Sequence, residues 1–262
     1  MKKNSIKKQY QESWKLLLRA KWYTVISIAI FSLAFIIGFI FPIFFKTQIQ
    51  FMLKTMAEMF LGLNMFQTIS KIFFNNLRAG FISLLFGLVF GIMPLFSSLF
   101  NGYLGGFVGR MAVDVEGLGI LLRLIPHGIF ELTAIFISLG LAIYLANLFL
   151  QEICKIKKQK FRMFIIITIF LITTPLNLYL NVVLATSNVI NPNNLVLAPP
   201  VIMLGAYNLI ILSTFLYFLY LSSKNKKMKT EIAASVKAFI LIVIPLLFIA
   251  AIVEGILIVL GV

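Results

Sequence analysis

The chain holds one cysteine, Cys154, one histidine, His127, and eight acidic residues in 262 positions. A single thiol excludes an internal disulfide and any metal site built on several cysteines. The motifs His-Glu-x-x-His, Gly-x-Ser-x-Gly and the phosphate-binding P-loop are all missing. The usual zinc protease, serine hydrolase and ATPase arrangements are therefore excluded. Charged residues make up only 12% of the chain, too few for a soluble surface of ordinary composition. Period-two alternation suited to a barrel is also lacking.

Apolar residues take the place of charge. They form 61% of the sequence, and the mean hydropathy is +1.04, more than a soluble core can bury. Runs of about 20 apolar residues are long enough to cross a hydrocarbon layer as helices. The expected fold is all-α: a polytopic transmembrane helical bundle in the cell membrane, forming one domain over residues 1–262. Strong spans are expected at Trp22 to Phe45, Gly80 to Phe100, Pro126 to Leu150, Met163 to Ala185, Val201 to Leu221 and Ala233 to Leu260. The first is too long for a signal-peptide core and lacks a small-residue cleavage site, so it reads as a retained span.

The net charge of +15 does not point to nucleic acid, because the 23 Lys and Arg residues lie almost wholly in short segments that flank apolar runs and form no basic face on a soluble domain. They set orientation. Seven precede the first span, five fall within 155 to 162 and five within 224 to 237, whereas Ser187 to Ala198 has none. The positive-inside rule puts those three clusters and the N-terminus in the cytoplasm. Six simple crossings would leave the 155 to 162 cluster outside, so a further crossing is required before Lys155. The expected candidate is the weaker segment near 101–118, as a short buried helix or a re-entrant element. Seven membrane segments and an external C-terminus follow. Residues 46–70, with Lys54 and Glu58 among apolar neighbours, suit an external amphipathic helix. Residues 163–222 are expected to form a further helical hairpin.

Glycines recur as Gly87-x-x-x-Gly91, Gly102-x-x-x-Gly106 and Gly105-x-x-x-Gly109. Such spacing lets helix backbones approach closely in lipid, inside one chain or at the seam of a homodimer. Arg110 and Asp114, four residues apart, are placed to neutralise each other. Asn75, Asn76 and Asn101 are candidates for helix caps, for bonds between helices, or for a polar wall facing Glu131.

His127 and Glu131 lie one turn apart in an apolar run, and a second acid, Glu254, lies in the last one. Ionisable groups at membrane depth are costly, about 2.5 to 3.5 kcal/mol on insertion scales, and mark sites with a partner or a purpose. Pro126 suits the first turn of the helix that carries His127. If Glu131 and Glu254 face each other, one holds a proton or both meet a cation. Three readings stay open: a structural lock, acid/base or metal-assisted chemistry at His127, Glu131 and Glu254, and proton or ion transport through them. No cofactor is implied; a divalent metal at these three residues is the chemical alternative, without a motif's spacing to support it.

Leu-x-Pro-His-Gly-x-x-Glu-Leu at 124 to 132 and Ala-Ala-x-x-Glu at 250 to 254, with Asn75-Asn76 before a glycine-rich span and Asn101-Gly102 after it, form one pattern. It resembles the stage II sporulation protein M family. The resemblance covers residues 72 to 150 and 237 to 256 well; the hairpin from Met163 to Leu221 looks additional to the simplest pattern. It implies an integral membrane scaffold that holds partner proteins, cell-wall hydrolases at the septum in spore formers. Relatives also accompany AAA ATPase genes and circular bacteriocin clusters. The resemblance therefore also admits an embedded peptidase or cyclase for a hydrophobic peptide. Expected partners are membrane lipids and other membrane or cell-wall proteins.

Overall fold

A computed structural model of the chain describes residues 6–86, 92–154 and 225–260. Every regular element among them is helical: α1 (Ile6–Ile40), α2 (Lys46–Glu58), α3 (Met65–Phe86), α4 (Ile92–Glu116), α5 (Ile120–Cys154), α6 (Lys226–Ala238) and α7 (Ile244–Leu260). A π-helical turn, Phe239–Val243, joins the last two. Among the described residues, three helices are long and apolar enough to cross a membrane: Ile6–Ile40, Gly128–Gln151 and Lys226–Ile258. The expected spans at Met163 to Ala185 and Val201 to Leu221 lie outside the described residues.

Local chemistry sets the boundaries. Asn64 Oδ1 accepts from the Gln67 backbone N–H at 2.9 Å, and Gln67 Oε1 accepts from the Asn64 N–H at 3.0 Å. This reciprocal box satisfies two donors at a helix start and opens α3 at Met65. The amphipathic helix expected over residues 46–70 ends at Glu58. The single span expected over Gly80 to Phe100 is corrected as well. Its apolar run is shared by two helices, α3 ending at Phe86 and α4 opening at Ile92, with Pro94 in the first turn of α4, where a missing N–H costs little. The segment near 101–118 lies within a 25-residue helix that runs from Ile92 to Glu116.

Proline 126 also sits elsewhere than expected. Gly117, at φ 79°, turns the chain, and α5 starts at Ile120, which leaves Pro126 inside the helix rather than in its first turn. In the last helix, Pro245 lies two residues past the end of the π-helical turn, as the second residue of α7. Proline lacks the donor for the carbonyl four residues back and crowds it, and a wider turn there relieves both.

Contacts between helices fix their directions. Ser98 Oγ donates to the Ser27 carbonyl at 2.6 Å, Gly102 abuts Phe31, Gly106 abuts Phe35, and Arg110 lies 5.9 Å from the Phe39 ring centre. Both numbers rise together, so α1 and α4 run parallel. By the same test α5 is antiparallel to α1, through Asn147 with Tyr23 at 2.6 Å, Gly140 with Thr24 and Phe136 with Phe31. Helix α3 runs parallel to α5 through Asn76 with Glu131 and Gly80 with Ser138. It runs antiparallel to α7 through Ile69 with Gly255 and Phe73 with Phe248. The buried core, around Leu16, Leu84, Leu141, Leu145, Phe239 and Leu247, lies where α1, α3, α5 and the last helix meet.

The glycine seam explains the closest of these pairings. A Cβ at Gly102 would collide with the Phe31 carbonyl, one at Gly106 with that of Phe35, and one at Gly38 with that of Tyr103. Gly105 and Gly109 meet only side chains, at 3.5 Å and 3.6 Å. Of the overlapping motifs, Gly102-x-x-x-Gly106 is thus the packing one, and it packs within the chain. Gly87 and Gly91 lie outside the described residues.

Candidate functional site

Among the acids picked out from the sequence, Glu131 is held most directly. It is half-buried on α5 and accepts from Asn76 Nδ2 of α3 at 3.1 Å. Glu254, on α7, is also half-buried and within electrostatic reach of Glu131. Three helices thus bring an amide and two carboxylates to one region of the bundle. His127 is placed in α5 by its backbone; its side chain is outside the described residues. Among the described residues, no group of three or more His, Cys, Asp and Glu is arranged to hold a metal ion.

The other expected polar residues stand apart from this region. Asn75 is exposed, because one residue of helix turns it about 100° from Asn76. Asn101 donates to the Ser97 carbonyl one turn back at 2.8 Å, on an exposed part of α4. Arg110 and Asp114 do pair, at 2.9 Å, but on the surface, with side chains 43% and 54% exposed. Of the expected polar residues Asn76 meets Glu131, and Asn75, Asn101, Arg110 and Asp114 lie outside that region.

A second polar cluster was not anticipated. Glu231 of α6 accepts from Arg19 Nη1 at 2.6 Å and from the Tyr144 hydroxyl at 3.1 Å. The Tyr144 ring leans on Tyr23, with centres 5.8 Å apart, and the Tyr23 hydroxyl accepts from Asn147. One buried carboxylate therefore ties α1, α5 and α6 together. Counting charges by segment hides it within a basic stretch. The readable signal is the buried stripe Met228, Glu231, Ser235 and Ala238, which places a glutamate on the apolar face of a helix capped by Asn225.

Smaller bonds complete the frame. Ser138 Oγ of α5 donates to the Gly80 carbonyl of α3 at 2.8 Å. At the far end of α1, the Tyr103 hydroxyl accepts from the Phe44 N–H at 3.0 Å and lies 3.1 Å from the Phe41 and Phe44 carbonyls. That clasp holds the turn where Phe45 takes a left-handed φ of 57°.

Against known proteins, the chain matches the family Stage II sporulation protein M over residues 27–186. This is more than half of its length. The chain belongs to the stage II sporulation protein M family. The match contains Asn76, Glu131 and the glycine seam, and it takes in residues 163–186, the first half of the hairpin expected to be additional. It ends before Glu254. No curated protein and no solved structure matches the chain. Family membership and the apolar helices together make this an integral membrane protein.

Proposed function

We propose that the protein is a multi-pass scaffold of the cell membrane that recruits partner proteins, cell-wall hydrolases among them, and performs no chemistry of its own at Glu131. The hydrogen bond from Asn76 to Glu131 carries the reading. It spends the carboxylate on a neighbouring helix, and the interaction is one of positioning.

The helix directions support the crossing scheme. With the basic N-terminus inside, α1 leads out, α3 in, α4 out, α5 in and α7 out, which leaves the Cys154 end of α5 on the cytoplasmic side, where the positive-inside rule asks for the basic cluster that follows it. With the two crossings expected within residues 163–222, which lie outside the described residues, the scheme has seven membrane segments, partitioned differently from the sequence expectation. Helix α2, with only Ile49 buried, suits the outer interface.

The test compares two substitutions in the full chain. Glu131→Gln keeps an acceptor for Asn76, whereas Asn76→Ala removes the donor. The scaffold reading expects Glu131→Gln to retain cross-linked partners and Asn76→Ala to lose them along with stability. Loss of function in a stable, fully associated Glu131→Gln protein would favour acid/base chemistry or transport.

A further inference from the structure

The geometry points to a binding site for an anionic phospholipid of the inner leaflet, in a groove between α3 and the junction of α6 and α7. The groove, about 330 Å3, is lined by Phe74, Leu77, Phe81, Phe239, Ile240 and Ile244, with Arg78 as its charged side chain. Val236 and Ile240 continue it into an adjoining hollow bounded by Gln9 and Lys237. Phe74 and Ile240 are 64% and 53% exposed, so the groove opens outward from the bundle.

Charge names the occupant. Arg78 is exposed, and among the described residues no carboxylate is paired with it. It lies two residues before Gly80, which packs on Ser138 and Phe239. Tyr144, six residues beyond Ser138, joins the pair of Arg19 and Glu231. Arg78 is therefore about 12 Å of helix rise to the membrane side of that pair. A guanidinium at this depth reaches toward the phosphate layer while its stem stays in apolar surroundings. It binds a phosphate through two parallel N–H donors, which an ammonium does not. Lys237 marks the aqueous end, shared with Glu12 at 2.8 Å. An acyl chain in the groove and a phosphodiester on Arg78 satisfy both halves of the site, as basic pockets between membrane helices do on the cytoplasmic side. A zwitterionic lipid brings its own cation to the phosphate and competes poorly.

This inference rests on the membrane orientation proposed above and is independent of the scaffold role. It is tested by native mass spectrometry of the purified full chain in detergent, titrated with dioleoyl phosphatidylglycerol or dioleoyl phosphatidylcholine. The wild-type chain is expected to retain the anionic lipid about tenfold more strongly, the equivalent of one charge-assisted hydrogen bond. Arg78→Gln should erase that preference and Arg78→Lys should keep part of it. Ile240→Trp fills the groove and should lower phosphatidylglycerol retention with Arg78 intact, which keeps the test open if Arg78→Gln does not fold. Equal retention of the two lipids by the wild-type chain, an unchanged preference in Arg78→Gln, or unchanged retention in Ile240→Trp would overturn the site. Partner recovery plays no part in the readout, so the scaffold proposal stands or falls separately.

Discussion

Asn76 of α3 donates its side-chain amide to Glu131 of α5 at 3.1 Å, and the helices that carry them run parallel. Polar side-chain bonds between membrane helices average about 0.6 kcal/mol and reach about 1.7 kcal/mol. Asn76→Ala should destabilise the purified protein within that range, measured by thermal unfolding in detergent. Asn75→Ala, one position away on an exposed face, should leave the midpoint unchanged.

The seam between α1 and α4 gives a sharper contrast. A methyl at Gly106 meets the Phe35 carbonyl, which belongs to backbone and cannot swing aside, whereas one at Gly105 meets the Phe35 ring at an ordinary 3.5 Å. Gly106→Ala should therefore cost about 1 to 3 kcal/mol, as overpacking does, and Gly105→Ala should be close to neutral. Equal effects at both positions would mean the two helices are not in this register.

The pair of Arg19 and Glu231 lies between the buried and the exposed case. Glu231 is buried to 11% side-chain exposure, but Arg19 is 53% exposed and solvent screens it. Losing one partner of a fully buried pair costs about 3 to 5 kcal/mol, and exposed pairs contribute about 0 to 1 kcal/mol. Glu231→Gln is expected to fall between, at about 1 to 2 kcal/mol, and Tyr144→Phe to cost less. Lys237→Gln, which breaks the exposed contact with Glu12, should have the smallest effect and the strongest salt dependence.

Orientation is accessible to thiol chemistry, because the sequence has only one cysteine to remove. In a Cys154→Ser background, Leu118→Cys, exposed between α4 and α5, should react with a membrane-impermeant maleimide in intact cells. Thr230→Cys, exposed on α6, should react only after permeabilisation. The reverse pattern would invert the crossing scheme.

Much of this was legible from residue types and spacing. Gly102 and Gly106 fall on one helix face four residues apart, so a close seam could be read from the sequence, though not that α1 supplies the other side. Glu131 stood out because an acid in an apolar run is costly. Counting basic residues asks for a further crossing before Lys155; of the five described helices that precede it, α1, α3, α4 and α5 alternate in direction and α2 is a short amphipathic piece. Helix boundaries were less visible. Hydropathy averages over a window, so the apolar ends of α3 and α4 merged into one apparent span, and the Asn64–Gln67 box was lost in a stretch read as amphipathic to Ser70. Glu231 was hidden for a related reason: charge totals ignore helical phase, and only phase distinguishes a glutamate that faces the core from the lysines around it.

The scaffold proposal is tested most directly by Glu131→Gln in the full chain, with unfolding midpoint, cross-linked partner recovery and cellular function measured together. A retained acceptor at this position should leave all three near the wild-type values while Asn76→Ala lowers all three. A Glu131→Gln protein that folds and keeps its partners but loses function would contradict the proposal and assign the carboxylate a role in proton transfer.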